Sequence, residues 1–295
     1  MCEYPLAVVT DLDASAISSV DYSYDGVPEA ARSLWGLGIP VVAATSKTLW
    51  ELAIWWRRLG FHGPCGGVLG VVELGGALVG SEDLLPQRDW VDPSTGLAVV
   101  ELAPRLEGLR GLLERIIPAA CRDRVTIIRG APEEEVSEAL GLRGEEASAA
   151  SRRLWDEAIW SSDRACLEAI ALRALRAGLN VVEGARVLHV TGAPGKRGAL
   201  EALERLAPWL LGARWVAIGD SPADRDMLEW SWAAVVIPHP PGRVAVRPRR
   251  GDYVVAPEPA PGGWVWAAST IELIYSTPSS RGVGVLGRLT RRPPS

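Results

Sequence analysis

The run Leu6-Ala7-Val8-Val9 offers no polar face and, after Thr10, stops abruptly at Asp11-Leu12-Asp13. Successive side chains of a strand point to opposite faces, so a run without a polar face must be covered on both sides. Parallel sheets flanked by helices meet that condition, and the expected fold class is therefore α/β. Ligands of open α/β sheets bind beyond the carboxyl ends of the strands. Asp11 and Asp13 fall at such an end. A turn there could offer one carboxylate as nucleophile or metal ligand and the other as proton carrier. Two solvated loop acids would look the same, so later strand ends decide between the readings.

The rest of the chain alternates elements. A helix is expected over 27–37, with Ala30, Ala31, Leu34 and Leu37 on one face. A strand over 39–44 ends at Thr45-Ser46-Lys47, and a helix over 48–59 follows with Thr48 or Ser46 as its N-cap. Short strands at 67–72 and 77–79 flank the turn Glu73-Leu74-Gly75-Gly76. Such alternation argues a parallel sheet with right-handed crossovers. From about 82 to 185 the pattern changes to an α+β mix. Strands are expected near 97–102, 125–129, 155–160 and within 179–190, with helices over 104–117, 132–141, 144–153 and 163–177. The core then resumes with a helix over 197–206 opened by Gly195-Lys196, and a strand from Trp215 to Asp220. A helix over 224–229, strands at 235–237 and 253–255 and a last helix over 264–275 complete it. The expected organisation is a core of 1–81 and 186–277, an inserted domain of 82–185, and a tail of 278–295. That tail is rich in Pro, Gly, Ser and Arg and is expected to be disordered.

Composition excludes several classes. With 48% apolar and 23% charged residues the chain reads as globular and soluble. A net charge of -5 and the lack of a long basic run argue against nucleic acid as a partner. No stretch approaches the ~20 apolar residues of a membrane span. The first strand begins too early to leave room for a signal peptide, so a cytoplasmic location is expected. Cys2, Cys65, Cys121 and Cys166 form no CxxC pair and read as reduced, mostly buried thiols, with no disulfide or zinc framework. Asn180 is the sole asparagine and Gln87 the sole glutamine, a scarcity of thermolabile amides that fits a hot-adapted protein. Of 31 basic residues only Lys47 and Lys196 are lysine, and both fall beside strand ends. A compact ammonium and a planar guanidinium are not interchangeable at a tight phosphate site.

Four strand ends now carry polar groups in order: Asp11 and Asp13, Thr45, Lys196, then Asp220 and Asp224. In that order and spacing they resemble the four motifs of the haloacid dehalogenase-like phosphatases. The resemblance implies a Rossmann-like parallel-sheet core with an inserted α+β cap, and the catalytic set Asp11, Asp13, Thr45, Lys196 and Asp224. Asp11 would attack phosphorus, and Asp13 would protonate the departing alkoxide and then activate water. Thr45 would bond a phosphoryl oxygen, Lys196 would neutralise its charge, and Asp224 would orient Lys196 or a metal-bound water while also suiting a helix N-cap. The implied cofactor is Mg²⁺ on Asp11, the Asp13 carbonyl and Asp220, an oxygen set suited to this hard cation. Some thirty residues separate Asp13 from Thr45 but some 150 separate Thr45 from Lys196. The cap therefore falls in the second interval, where it would close over the leaving group and exclude water.

Further segments narrow the likeness. They include Pro40-to-Thr48, Val72-to-Ala77, Val136-to-Leu142 with Glu145-Glu146-Ala147, Arg153-to-Glu157, Gly184-to-Val190, Gly219-to-Asp224 and Ala260-to-Trp264. Over about 5–275 the chain resembles the mannosyl-3-phosphoglycerate phosphatase family. That resemblance implies a phosphorylated sugar acid as substrate and mannosylglycerate, a compatible solute, as product. Arginine forks suit its carboxylate, with Arg153 and Arg186 as candidates. Ser46, Lys47 and His189 complete the expected substrate-binding set, although His189 also suits a packed, hydrogen-bonded strand. Glu73 would anchor its loop without touching substrate. Three departures from the family pattern stand out: Ala14-Ser15 for Gly-Thr, Leu74 for asparagine, and Glu157-Ala158-Ile159 for Glu-Pro-Phe. The alternatives are a phosphatase for glucosyl-3-phosphoglycerate or sucrose phosphate, or a non-catalytic phosphate-binding relative.

Overall fold

A computed structural model describes residues 4–184, 186–210 and 212–276. In chain order the elements begin with strand β1 (Leu6–Thr10), helix α1 (Val27–Gly36), β2 (Val41–Ala44), α2 (Leu49–Leu59), β3 (Leu69–Val72) and β4 (Ala77–Gly80). They continue with β5 (Trp90–Val91), β6 (Ala98–Glu101), α3 (Leu106–Ile116), β7 (Thr126–Ile127), α4 (Glu133–Leu140), α5 (Gly144–Ser151), β8 (Asp156–Trp160) and α6 (Arg164–Arg176). Last come β9 (Asn180–Glu183), β10 (Leu188–Thr191), α7 (Gly195–Leu206), β11 (Arg214–Gly219), α8 (Arg225–Trp230), β12 (Ala233–Val236), β13 (Tyr253–Val255) and α9 (Gly262–Ser276). The chain folds as two compact units. Among the described residues, the first holds 4–45, Trp56–Gly70 and 200–276, and the second holds Ser46–Trp55 and Val71–Ala199.

The first unit carries the parallel core. Its strands lie in the order β13-β12-β11-β1-β2, and every pair among them is parallel. Strand β1 is buried along its whole length, as its lack of a polar face requires. Helices α1 and α9 pack together, and Trp264 of α9 is fully buried. Its indole N–H donates to Thr10 Oγ1 at 3.0 Å, and its ring stacks on Phe61. A fully buried indole contributes several kcal/mol of apolar burial, and six of the thirteen tryptophans, Trp50, Trp55, Trp56, Trp155, Trp215 and Trp264, are buried. Because β1 lies between β2 and β11, the strand order reverses there, and an open α/β sheet receives its ligand at such a switch point.

The second unit contains an antiparallel sheet in the order β7-β8-β10-β9. Leu106, Leu113 and Ile116 of α3 and Ile170 and Ala174 of α6 pack with Ile159, Leu188 and Val190 of the sheet. Strands β5 and β6 pair antiparallel with each other, and β6 with β4. The two-residue β5 is too short to leave a periodic signal, and the sequence reading missed it. Strand β7 is shorter than the five residues expected from Val125 to Arg129, although the Ile128 amide still bonds the Ala158 carbonyl.

One expectation is overturned. Cys121 and Cys166 form a disulfide, with Cα atoms 5.6 Å apart and a sequence separation of 45. Their distance in the chain hid the pairing, since a disulfide depends on closeness in space rather than on a local motif. The bond joins the 3-10 turn Ala119–Arg124 to the first turn of α6. Cys65 is exposed, not buried, and Cys2 lies outside the described residues, as does the tail of 278–295. Among the described residues, no helix is long and apolar enough to cross a membrane.

Candidate active site

The register of β1 against β11 brings the first acids together. Thr10 pairs with Ile218, and the Asp11 amide donates to the Ile218 carbonyl at 2.9 Å. Asp11 and Asp220 therefore leave the carboxyl ends of neighbouring parallel strands. After Asp11 the chain turns tightly, and the amides of Ser15, Ala16 and Ile17 all approach the Leu12 carbonyl. Ala14 holds a φ of 57° in this turn, a left-handed conformation that costs a residue with a Cβ about 1 kcal/mol. The turn delivers the Ser15 hydroxyl to Asp220 Oδ1 at 2.8 Å, so the hydroxyl kept at this position has a definite task. Asp13 follows Asp11 and is half-buried, and Thr45 is fully buried just past β2.

Asp224 enters from the turn after β11. Its Oδ2 accepts from the amides of Asp220 and Ser221 and from the Ser221 hydroxyl, at 3.0–3.1 Å. It thus closes a capping box from the third position of the 3-10 turn Pro222–Asp224, whose N-cap is Ser221, whereas at the N-cap of α8, the task expected of it, its side chain makes no capping bond. Gly219 makes the approach possible, because a Cβ there would lie 2.6 Å from the Asp224 Cβ. Carboxylate oxygens of Asp11, Asp220 and Asp224 lie within 4.8 Å of one another, and all three residues are buried. Burial pushes the Asp220 carboxyl above its ordinary range, and the Asp224 charge adds to the effect. Three buried carboxylates so close together repel unless a cation compensates them. Their hard oxygens suit Mg²⁺, so these residues fit the expected ion.

His239 was missed by sequence reasoning. Its Nε2 lies 2.8 Å from Asp220 Oδ2, and that hydrogen bond raises the imidazole above its ordinary value. Asp220 thus has Ser15 on one oxygen and His239 on the other. The residue follows β12 in a Pro-Pro-Gly loop without periodicity, so the only signal was its place beyond another parallel strand end.

The remaining candidates lie in the second unit. Helix α2 is capped by Thr48, whose hydroxyl accepts from the Glu51 amide while Glu51 Oε2 accepts from the Thr48 amide. Lys47 pairs with Glu51 at 3.5 Å. Glu73 is fully buried, and its Oε2 accepts from the amides of Leu154, Trp155 and Asp156 at 3.0, 2.7 and 2.9 Å. Burial pushes its carboxyl up to about 7, against the Arg153 charge and these amide bonds. Arg153 is only 5% exposed. Its Nε donates to the Asp156 carbonyl, and its Nη2 donates to Asp156 Oδ2 and the Ser46 carbonyl. His189 Nδ1 lies 2.6 Å from the same Asp156 oxygen. Burial works to raise Asp156, but His189 and Arg153 outweigh it and hold the carboxyl below its usual value. Arg186 is exposed and lies over Gly141 at the C-terminus of α4.

Lys196 is buried in the first turn of α7. Three contacts fix the approach to that turn: the Thr191 hydroxyl donates to the Trp155 carbonyl, the Ala193 amide donates to the Thr191 hydroxyl, and Asn180 Nδ2 donates to the Ala193 carbonyl. The chain's sole asparagine therefore has a structural task. Gly75, at a φ of 97°, lies so near that a Cβ on it would sit 2.4 Å from the Gly195 carbonyl oxygen. Of the predicted residues, Asp11, Asp220 and Asp224 come together within the first unit; within the second, Ser46, Arg153 and His189 gather around Asp156, and Lys196 lies next to Gly195, against the Glu73 turn.

No family model matches the chain. The mannosyl-3-phosphoglycerate phosphatase of Aeropyrum pernix is 30% identical over 276 residues, covering 92% of this chain and 96% of that protein. The glucosyl-3-phosphoglycerate/mannosyl-3-phosphoglycerate phosphatase of Methanococcoides burtonii is 29% identical, covering 80% of this chain and 86% of that protein. Among solved structures, a haloacid dehalogenase-like hydrolase from Bacteroides thetaiotaomicron matches with a TM-score of 0.59 and 16% identity, covering 91% of this chain and all of that one. Another from B. subtilis matches with a TM-score of 0.55 and 16% identity, covering 78% and 88%. The fold is therefore the Rossmann-like α/β core with a cap that the sequence led us to expect.

Proposed function

Since the chain belongs to the mannosyl-3-phosphoglycerate phosphatase family and is a phosphoric monoester hydrolase, we propose that it converts mannosyl-3-phosphoglycerate to mannosylglycerate and phosphate. The observation that carries this reading is the cluster of Asp11, Asp220 and Asp224 at the carboxyl ends of adjacent parallel strands. Asp11 attacks phosphorus, and the bond from phosphorus to the glycerate oxygen breaks. Asp13 gives its proton to that oxygen and then takes one from the water that cleaves the aspartyl-phosphate. Phosphate leaves and the Asp11 carboxylate is restored. Thr45 bonds a phosphoryl oxygen, Lys196 balances the phosphoryl charge, and Asp224 holds the Asp220 loop in shape. Asp11, the Asp13 carbonyl and Asp220 would hold Mg²⁺, which offsets charge on the phosphoryl oxygens when bound. Ser46, Lys47 and Arg186 contact the sugar acid, and residues 82–185 act as the cap that selects it. The enzyme works in the cytoplasm on this small phosphorylated molecule.

A second reading has specific support. Two relatives are named for both the glucosyl and the mannosyl ester, at 29% and 25% identity, so the glucosyl compound is a substrate candidate too. Phosphate release from a panel of sugar phosphates with Mg²⁺, and again with a chelator, tests both. Mannosyl-3-phosphoglycerate should be among the best substrates, and chelation should abolish turnover. Asp11→Asn should remain folded by circular dichroism and lose at least about a thousandfold in kcat. Turnover no better than that of simple sugar phosphates would refute the substrate assignment. Undiminished activity in Asp11→Asn would refute the mechanism.

A further inference from the structure

The Ser46–Lys47 turn follows a strand end and has no regular structure of its own, yet both of its carbonyls are held. The Ser46 carbonyl accepts from Arg153 Nη2 at 2.7 Å, and the Lys47 carbonyl accepts from the Glu73 amide at 3.0 Å. The two donors belong to one buried network. Glu73 gathers the amides of Leu154, Trp155 and Asp156, and Asp156 in turn grips the Arg153 guanidinium. A third contact, from the Thr48 hydroxyl to the Ala149 carbonyl at 3.0 Å, ties the residue after the turn to α5. The planar fork of arginine matters here. Nε and Nη2 reach two acceptors on Asp156 while Nη2 also reaches Ser46. A lysine ammonium, a single point of charge, cannot span that set in one geometry.

We propose that Arg153 is a positioning residue: held by Asp156, it fixes the Ser46–Lys47 turn and so sets the affinity for the sugar-acid part of the substrate. This rests on the reading that Ser46 and Lys47 contact that part. A buried fork spent on a carboxylate and two carbonyls is poorly placed to bind a ligand as well. It is well placed to transmit rigidity, because each acceptor it leaves would be an unsatisfied buried group. The arrangement gives the sequence segment Arg153-to-Asp156 a function distinct from direct contact.

The test is a double-mutant cycle read on two substrates. Values of kcat and KM are measured for mannosyl-3-phosphoglycerate and for p-nitrophenyl phosphate, which lacks the sugar acid. The proteins are wild type, Arg153→Gln, Lys47→Ala and the double variant. Arg153→Gln should raise KM for the sugar ester about tenfold or more and change p-nitrophenyl phosphate turnover by less than about twofold. In the Lys47→Ala background the same change should cost less than about threefold, since residues acting through each other are not additive. Multiplying effects would show independent ligand contacts and overturn the proposal. An equal fall on both substrates would show general disruption and also overturn it. Should Arg153→Gln fail to fold, Arg153→Lys keeps the charge beside Asp156 without the fork, and the same cycle is run with it. A lysine variant matching wild type on both substrates overturns the proposal as well. If wild type prefers another sugar phosphate, the substrate reading fails separately, and the cycle is read on that preferred ester.

Discussion

Replacing Glu73 by alanine should be among the more damaging single changes in the second unit. Its Oε2 is the shared acceptor for three successive amides, those of Leu154, Trp155 and Asp156. Each buried donor left without a partner costs about 1–3 kcal/mol. Some of that is returned, because the buried carboxyl is itself disfavoured, with its pKa pushed up to about 7. The net loss should be about 3–6 kcal/mol of unfolding free energy, read from urea titrations followed by circular dichroism. Glu73→Gln keeps one oxygen for the amides and should cost about 1–2 kcal/mol. The pH dependence carries a sign. In the unfolded chain Glu73 titrates near 4.5, and in the fold near 7, so between those values the folded state holds the extra proton. Its contribution is complete below about 4.5 and is lost as pH rises through about 7. Wild-type stability should therefore decline across that window, and Glu73→Gln should flatten the decline. An alanine variant within about 1 kcal/mol of wild type would behave as a solvated loop acid does, and the argument from burial would fail. A glutamine variant with an unchanged pH slope would show that burial does not control this carboxyl.

Two further changes follow from the same geometry. Gly75→Ala places a Cβ 2.4 Å from the Gly195 carbonyl oxygen at a φ of 97°, and should cost about 3 kcal/mol or more; it should also lower kcat, because Lys196 follows Gly195, and a thermal midpoint within one degree or so of wild type would contradict it. Loss of the Cys121–Cys166 bond, by reductant or by Cys121→Ser, should cost up to roughly 4 kcal/mol, the chain-entropy figure for closing a loop of this length. Calorimetry with and without reductant checks this, and a reductant-insensitive midpoint would mean the bond does not contribute.

The core was legible because its signals are local. Strand β1 lacks a polar face and ends in acids, and parallel register then places Asp11 beside Asp220 without further information. The start of α2 announces itself through its capping residue Thr48. The network of Glu73, Arg153 and Asp156 was only half visible. Glu73 could be read as a loop anchor, but that Arg153 would be buried depended on which face of a short segment packs inward. His239 and the cysteine pair were invisible for a related reason: their partners lie 19 and 45 positions away, and no local pattern marks either pairing, although Cys166 lies in α6. Pairings of that kind are set by how elements pack, which no window of sequence contains.

The bond between Cys121 and Cys166 encloses β7, α4, α5 and β8 in a covalent ring. A protease that cut the backbone anywhere inside that ring would open it without releasing a fragment. Both pieces would stay joined through sulfur, and the strand pairing of β8 with β10 could survive the cut. The stretch from Arg122 to Ala165 is thereby insured against scission in a way that the single-threaded remainder of the chain is not.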